Sequence, residues 1–357
     1  MNMVQSQPPG TLKFESKQHA GIQLSICITT FKRGPFIGET LDSILPQIGD
    51  GVELLVVDGA SPDGTPRVMA EYVAKNPGIR YFREKENSGI DGDYDKAVKY
   101  ALGKYCWLMT DDDLLHEGAI ATVLKVLEED PDLVVVNSEL KTVDMSMVLA
   151  DNMLDLAGQE KYEPREAERA FVDVAKYMSF IGGVVIKRSV WLDRDRTTYY
   201  GSLFIHVGVV FQRPVGLVRV IRQPLIAIRY GNAMWTPRGF EIWMFKWPSL
   251  IWSFANYSPE AKAGICLQEP WKVKKKVLLY RALGGYGREE FRRFIAPKVR
   301  GFTRLAYATI AVLPPALMNS LASIYCAFIN RKARSDLYDL SRSRHATWLS
   351  RTLARTL

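Results

Sequence analysis

Apolar runs of strand length recur along the first 140 residues: LSICITT at 24–30, VELLVVD at 52–58, IRYF at 79–82, YCWLM at 105–109 and LVVVN at 133–137. They are apolar at nearly every position rather than at alternate ones, as strands are when both faces of their sheet are covered. Between them lie FIGETLDSIL, PRVMAEYVAKN, DYDKAVKYAL and EGAIATVLKVLEED, helix-length stretches with apolar residues three and four apart. This alternation predicts an α/β fold whose mostly parallel sheet is flanked by helices, with ligands bound beyond the strand C-terminal ends. Past residue 140 the pattern loosens. IGGVVIKRSVW (181–191) predicts a strand turning into a helix, and GSLFIHVGVVFQR (201–213) a short amphipathic helix. Residues 232–257 gather Trp235, Trp243, Trp247 and Trp252 with three Phe and a Tyr, which suits a ring-stacking cleft, a docking surface, or packing between two lobes.

Composition adds a full-sized core and a charge asymmetry. With 357 residues, 47% of them hydrophobic, the chain is long enough for one large domain or a domain plus an appendage. Cys27, Cys106, Cys266 and Cys326 are widely spaced, which points to neither a zinc site nor a disulfide framework and suits a reducing compartment. Residues 1–23 read as a loose N-terminal arm without a secretory signal. Of the net +8, residues 272–357 carry 18 Lys/Arg against 4 Asp/Glu, or +14, leaving −6 for the rest. A mildly acidic body with a basic tail predicts an anionic partner. Residues 305–330 hold no charge, and Pro314 and Pro315 near their middle argue against a straight bilayer span. Seven Lys/Arg against two acids beyond residue 330 would oppose crossing, so short helices dipping into or lying on an inner leaflet are expected. Separating basic from aromatic residues, rather than interleaving them, speaks against a nucleic-acid partner.

The chemistry concentrates at the expected strand ends. Asp111, Asp112 and Asp113 follow an apolar strand, where their repulsion needs compensation that a divalent cation supplies through hard carboxylate oxygens. ITTFKRGPF, VVDGASPDGT and ENSGIDGDYDKA leave the other runs toward the same edge. Each alone is explicable as turn chemistry. Together they resemble glycosyltransferase family 2, nucleotide-sugar transferases of GT-A (Rossmann-like) fold, over about residues 24–140, and within that family the abequosyltransferase-like type that builds bacterial O-antigens and related polysaccharides.

The resemblance implies roles position by position. TTFKR is similar to the family's T-x-Y-N-R, placing Thr29, Thr30 and Phe31 in a nucleobase and ribose pocket with Arg33 near the phosphates. VVDGAS resembles V-V-D-D-G-S, putting Asp58 beside the base, with Gly59 in place of a second acid. Asp63 caps the following helix. Asp113 is the most direct metal ligand, Asp111 bridges ribose and a Mn2+ or Mg2+ ion, and Asp112 stands beside them in the nucleotide-sugar site. Asp91, Asp93 and Asp95 suit either sugar contact or helix-dipole capping. A general base is expected near YYGSLFIHVGVVF, where His206 is the candidate and packing the alternative; a carboxylate of the group Asp93 and Asp95 is next. The expected organisation is an arm (1–23), a GT-A domain (24–230, with a nucleotide-sugar half to 140 and an acceptor half from 141), an aromatic connection (231–270) and a helical membrane-associating region (271–357). The implied reaction moves a sugar from a nucleotide-diphosphate donor to a polyprenyl-diphosphate-linked glycan at the cytoplasmic face of a bacterial inner membrane. A basic-tailed adaptor and a nucleotidyltransferase on a related fold are the alternatives.

Overall fold

The structure is a computed structural model describing residues 21–154, 156, 159–234, 236–330 and 334–355. The expected N-terminal arm lies, up to residue 20, outside the described residues. Elements run β1 (Leu24–Thr30), α1 (Ile37–Ile44), β2 (Val52–Asp58), α2 (Thr65–Lys75), β3 (Ile79–Arg83), α3 (Gly89–Tyr100), β4 (Tyr105–Met109), β5 (Leu114–Leu115) and α4 (Ala119–Leu127). They continue with β6 (Leu133–Lys141), β7 (Val148–Ala150), β8 (Lys161–Tyr162), α5 (Ala167–Val174), β9 (Val184–Lys187), α6 (Arg188–Leu192), α7 (Ile205–Phe211) and β10 (Val218–Arg229).

One sheet carries them in the order β3-β2-β1-β4-β9-β6-β10-β5. The first four strands are parallel, and their apolar runs are covered on both sides as expected. The two-residue period sorts the side chains: Ile26, Ile28, Leu54 and Val56 join α1 and α4 residues in one core. Cys27, Leu55 and Val57 face the other, with α3, α5 and α7. β9 then enters antiparallel between β4 and β6, so the sheet is mixed, its parallel half holding the nucleotide-type strand ends. The 181–191 stretch forms the expected strand and helix, β9 and α6. The 205–211 segment departs from expectation: every residue of α7 is buried, because it inserts beneath the aromatic segment instead of lying half-exposed. That aromatic segment serves packing, with Trp247, Phe254 and Tyr257 buried against α5 and α7.

β10 carries the end of the sheet that matters for chemistry, and it does so through a bulge. Pro224 supplies no ladder N–H, and the register with β6 shifts between Ile221 and Ile226. Asn137, buried on β6, fills the gap: its Nδ2 donates to the carbonyls of Arg222 (2.7 Å) and Leu154 (3.1 Å), and its Oδ1 accepts from Ser138 and Leu154 N–H. The bulge lets β10 end with Arg229 opposite Lys141, beside the loop after β4.

Residues 274–330 and 334–354 form a helical layer with two small cores, one shared with Phe240, Met244 and Trp271. It returns to the sheet through Tyr338, which packs on Leu140 and Leu149, and through Tyr230, whose hydroxyl donates to Asp339 at 2.6 Å. Among the described residues no single helix is long and apolar enough to cross a membrane; Gly301–Val312 and Pro315–Ile329 form a pair bent by 90° at the prolines.

Replacing Asn137 by Leu orphans the groups that it satisfies. Urea unfolding should show a loss of about 1–3 kcal/mol for each buried group left unpaired, with the change confined to the midpoint rather than the slope.

Candidate functional site

The site lies where the loops after β1, β2 and β4 meet the start of α3. Loop conformation is set by cross-links between them. The Lys32 N–H donates to Ser61 Oγ (3.0 Å), the Arg33 N–H to Thr65 Oγ1 (3.0 Å) and the Gly34 N–H to Asp63 Oδ2 (3.3 Å). Asp63 also accepts the Thr65 N–H at 3.1 Å, so it caps the start of α2 and ties the first loop to the second. Lys32 and Ala60, neither a glycine, hold φ of 59° and 62°, backbone that such cross-links must enforce. Thr29 and Thr30 are buried at the end of β1, and Phe31 carries the Lys32 ammonium 5.1 Å over its ring.

Asp58 is fully buried, accepting the Ser61 N–H and the Tyr81 hydroxyl, each at 2.7 Å. Both oxygens take part in shaping the loop beside which the resemblance places a base. Gly59 is required by a close approach, since a Cβ there would meet Asp93 Oδ2 at 2.5 Å.

The three acids of α3 do not act together, because positions two apart on a helix point to different sides. Asp91 and Asp95, one turn apart, face α6 and α7. Asp91 accepts the Leu203 and Ile205 N–H groups (2.9 and 3.0 Å), which caps α7 and removes it from donor contact. Asp95 receives Trp191 Nε1 (3.1 Å), Tyr200 Oη (2.5 Å), Lys99 Nζ (2.7 Å) and Arg196 Nε (2.9 Å). Burial alone would raise its pKa, but the hydrogen bonds from Lys99, Tyr200 and Trp191 outweigh it and hold the carboxyl below the usual range. Asp95 is thus corrected from candidate base to packing hub. Asp93 points the other way: Ser88 donates to its Oδ1 at 2.5 Å, while Oδ2 takes no hydrogen bond among the described residues and lies over Gly59.

His206 is corrected as well. It is 1% exposed, its Nε2 donates to the Met178 carbonyl at 2.6 Å, and burial lowers its pKa to about 4. A base must reach the hydroxyl that it deprotonates, and this ring sits inside the core beside Phe204.

At the end of β4 the three aspartates separate into two roles. Asp113, expected as the most direct metal ligand, has both oxygens engaged: Oδ1 accepts the Arg229 N–H at 2.7 Å and Oδ2 the Thr110 hydroxyl. Asp111 and Asp112 face Arg33, with contacts of 3.5 Å each, too long for saturated hydrogen bonds. Burial raises all three carboxyls, and the Asp112 charge raises Asp111 and Asp113 further, against the pull of Arg33 on Asp111. Two adjacent hard-oxygen groups with open lone pairs and a shortage of positive charge fit a divalent cation whose other positions come from phosphate and water. Of the expected pair, Asp111 keeps open oxygens, as Asp112 does, whereas each Asp113 oxygen already accepts one hydrogen bond. No cluster of three or more His, Cys, Asp or Glu side chains suited to a metal occurs among the described residues.

Sequence reading missed Arg229. Its Nε donates to the Asp112 carbonyl (2.9 Å), its Nη1 to the Val143 carbonyl (2.8 Å), and its guanidinium pairs with Glu39. The Arg33 Nη1 in turn donates to the Asn232 carbonyl at 3.1 Å. Both residues lie at the end of β10, 116 or more positions from the aspartates, and a basic residue ending a late strand was the only signal available.

The glycosyl transferase family 2 profile matches residues 25–146, the strands and loops just described. The match makes this stretch, about a third of the chain, similar to glycosyl transferase family 2. The abequosyltransferase RfbV of Salmonella typhimurium is 26% identical over 232 residues, spanning 60% of this chain and 69% of that protein. Among solved structures, Staphylococcus aureus TarS 1-349 in complex with UDP aligns with a TM-score of 0.55 at 15% identity, covering 94% of this chain and 90% of that one. The mannosyltransferase PcManGT of Pyrobaculum calidifontis, in complex with GDP-Man and Mn2+, aligns at 0.53 and 16% identity over 93% and 87%. These structures share the fold, a GT-A-like mixed sheet flanked by helices, and the family 2 match with its glycosyltransferase relatives makes the chain a glycosyltransferase.

The burial of His206 has a signed consequence. Between pH 6.5 and about 4 the unfolded chain takes up a proton that the folded ring refuses, so stability falls as pH falls through that window, by up to about 3 kcal/mol. His206→Gln keeps a donor for Met178 and should lose this share of the acid sensitivity in urea titrations across the window, while retaining sugar transfer.

Proposed function

We infer that the chain transfers a sugar from a nucleoside diphosphate donor to a lipid-linked glycan in bacterial polysaccharide synthesis, with a divalent cation, Mn2+ or Mg2+, at the donor phosphates. The observation that carries this reading is the pair of buried, incompletely hydrogen-bonded carboxylates, Asp111 and Asp112, at the carboxyl end of a parallel strand. The similarity to an abequosyltransferase, and to folds solved with UDP and with GDP-Man and Mn2+, supports the donor class.

Asp111 and Asp112 would hold the cation, which supplies charge neutralisation for the departing nucleoside diphosphate. Arg33, now balancing both carboxylates over long contacts, is the side chain free to turn to the phosphates once a dication takes over that balance. Asp113 and Arg229 hold the loop in place from behind. Asp93 Oδ2 borders the loop after β2 and is the acidic oxygen available to a nucleobase or ribose there, given that Asp58 is engaged. The lipid-linked acceptor is supported by the basic, apolar C-terminal layer at 271–357.

UDP-, GDP-, dTDP- and CDP-sugars, titrated calorimetrically with Mn2+, should show cation-dependent binding for one nucleotide class. Asp111→Asn and Asp112→Asn should each weaken it by about tenfold or more, the loss of one charged contact. Neither should weaken the fold, because each removes one of three mutually repelling charges. Undiminished binding in EDTA would count against the cation.

A further inference from the structure

We propose that the helices Gly301–Val312 and Pro315–Ile324, with the continuation of the second to Ile329, form an in-plane docking face for an anionic lipid bilayer. The observation behind it is an apolar stripe turned outward over buried polar groups. On the second helix Asn319 and Ser323 are fully buried, beside Met318, Ala322 and Cys326 in a small cluster; Asn319 Nδ2 donates to the Leu340 carbonyl (2.9 Å), and Ser323 Oγ donates to the Asn319 carbonyl (2.8 Å). The side turned outward is apolar. Leu317, Leu321, Ile324 and Phe328 follow one another at four-, three- and four-residue steps, a single helical stripe, and Leu321 and Phe328 are 52% and 63% exposed. A helix folded to face water shows the reverse arrangement. The preceding helix has an ordinary apolar inner side, Tyr307, Ile310 and Ala311, yet it extends the outward apolar face with Phe302, 82% exposed, Leu305 and Val312. The exposed Trp348 follows Thr347, whose hydroxyl lies 3.1 Å from that of Ser320 on the second helix, and adds an indole to the exposed apolar groups of this layer.

Charge selects the occupant. Between Glu290 and Asp336 the sequence has eight Lys/Arg and no Asp or Glu. Arg292, Arg293, Lys298, Arg300 and Arg304 are exposed, and none of them pairs with a carboxylate among the described residues. A second copy of the chain would bring the same cationic rim against this one. A leaflet containing anionic lipid satisfies both the stripe and the rim. Lying in the plane follows from size and anchorage. The first helix, at about 18 Å for twelve residues, is shorter than a hydrocarbon core of about 30 Å. The pair bends by 90°, and the inner faces are tied down by Asn319 and by Tyr307, whose hydroxyl donates to the Trp271 carbonyl at 3.0 Å.

This face extends the lipid-linked acceptor reading, since it would hold the sheet edge beside a membrane-borne substrate, but its test needs neither donor nor acceptor. The full-length chain is floated with phosphatidylcholine vesicles with and without phosphatidylglycerol, and nucleotide-sugar binding is measured separately. The wild type should float with the phosphatidylglycerol vesicles and show a blue shift of tryptophan emission. Leu321→Gln with Phe328→Gln should lower partitioning at least about tenfold. Arg300→Glu with Arg304→Glu should lower it by a similar factor only when phosphatidylglycerol is present. All four side chains are exposed, so donor binding should be unchanged in both variants. Failure of the wild type to float, or equal flotation of the apolar variant, overturns the docking face and leaves donor chemistry untouched. A wild-type dimer that the apolar variant turns into a monomer overturns it in favour of a second copy. Flotation without nucleotide-sugar binding would retain the face and remove the transferase reading.

Discussion

Burying carboxylates side by side at the rim of a sheet is the constraint on which the site depends. Asp111, Asp112 and Asp113 repel one another in a place with little water, and the molecule answers with two different devices. Asp113 is satisfied by hydrogen bonds from Thr110 and the Arg229 backbone, which welds the loop after β4 to the end of β10. Asp111 and Asp112 are left to a single guanidinium at 3.5 Å, a balance weak enough for a dication and a diphosphate to replace. The loop is therefore held firmly at one end and left short of positive charge at the other.

Several remote features serve that division. The bulge at Pro224, filled by Asn137, brings Arg229 to the rim. The antiparallel insertion of β9 separates the nucleotide-type strands from β6 and β10, so that the aspartate loop lies between the parallel half and β10. On α3 the helical period divides three acids that look alike in sequence. Asp91 and Asp95 secure α6, α7 and the loop between them, whereas Asp93 alone turns toward the loop after β2. A cluster in sequence becomes two structural anchors and one group at the site.

The C-terminal layer obeys a different solvent rule from the body. In the sheet, apolar side chains are inside and the polar ones face water or one another. On the helix after Pro314 two polar residues, Asn319 and Ser323, are buried while an apolar stripe faces outward, an arrangement suited to an apolar cover on the outer face. The same helical region returns to the sheet through Tyr338 and the Tyr230–Asp339 hydrogen bond, near the strand that carries Arg229. Substrate chemistry and surface attachment thus share one connected scaffold.

The strands of the parallel half, the helices between them and the strand end that holds the aspartates were legible in the sequence, because two-sided burial writes continuous apolar runs and the helical period writes three- and four-residue spacings. So were the loop motifs that resemble family 2. What each polar group does was not legible. Asp58, Asp91, Asp95 and Asp113 read as ligands and are engaged by partners, many of them tens of residues away; His206 read as a base and lies in the core. Arg229 and Asn137 gave little or no signal, since each works partly through hydrogen bonds to backbone 80 or more positions away. Local sequence sets periodicity and burial, whereas the occupancy of a carboxylate's lone pairs is decided by whatever the chain brings back from far along its length, and that only the tertiary structure determines.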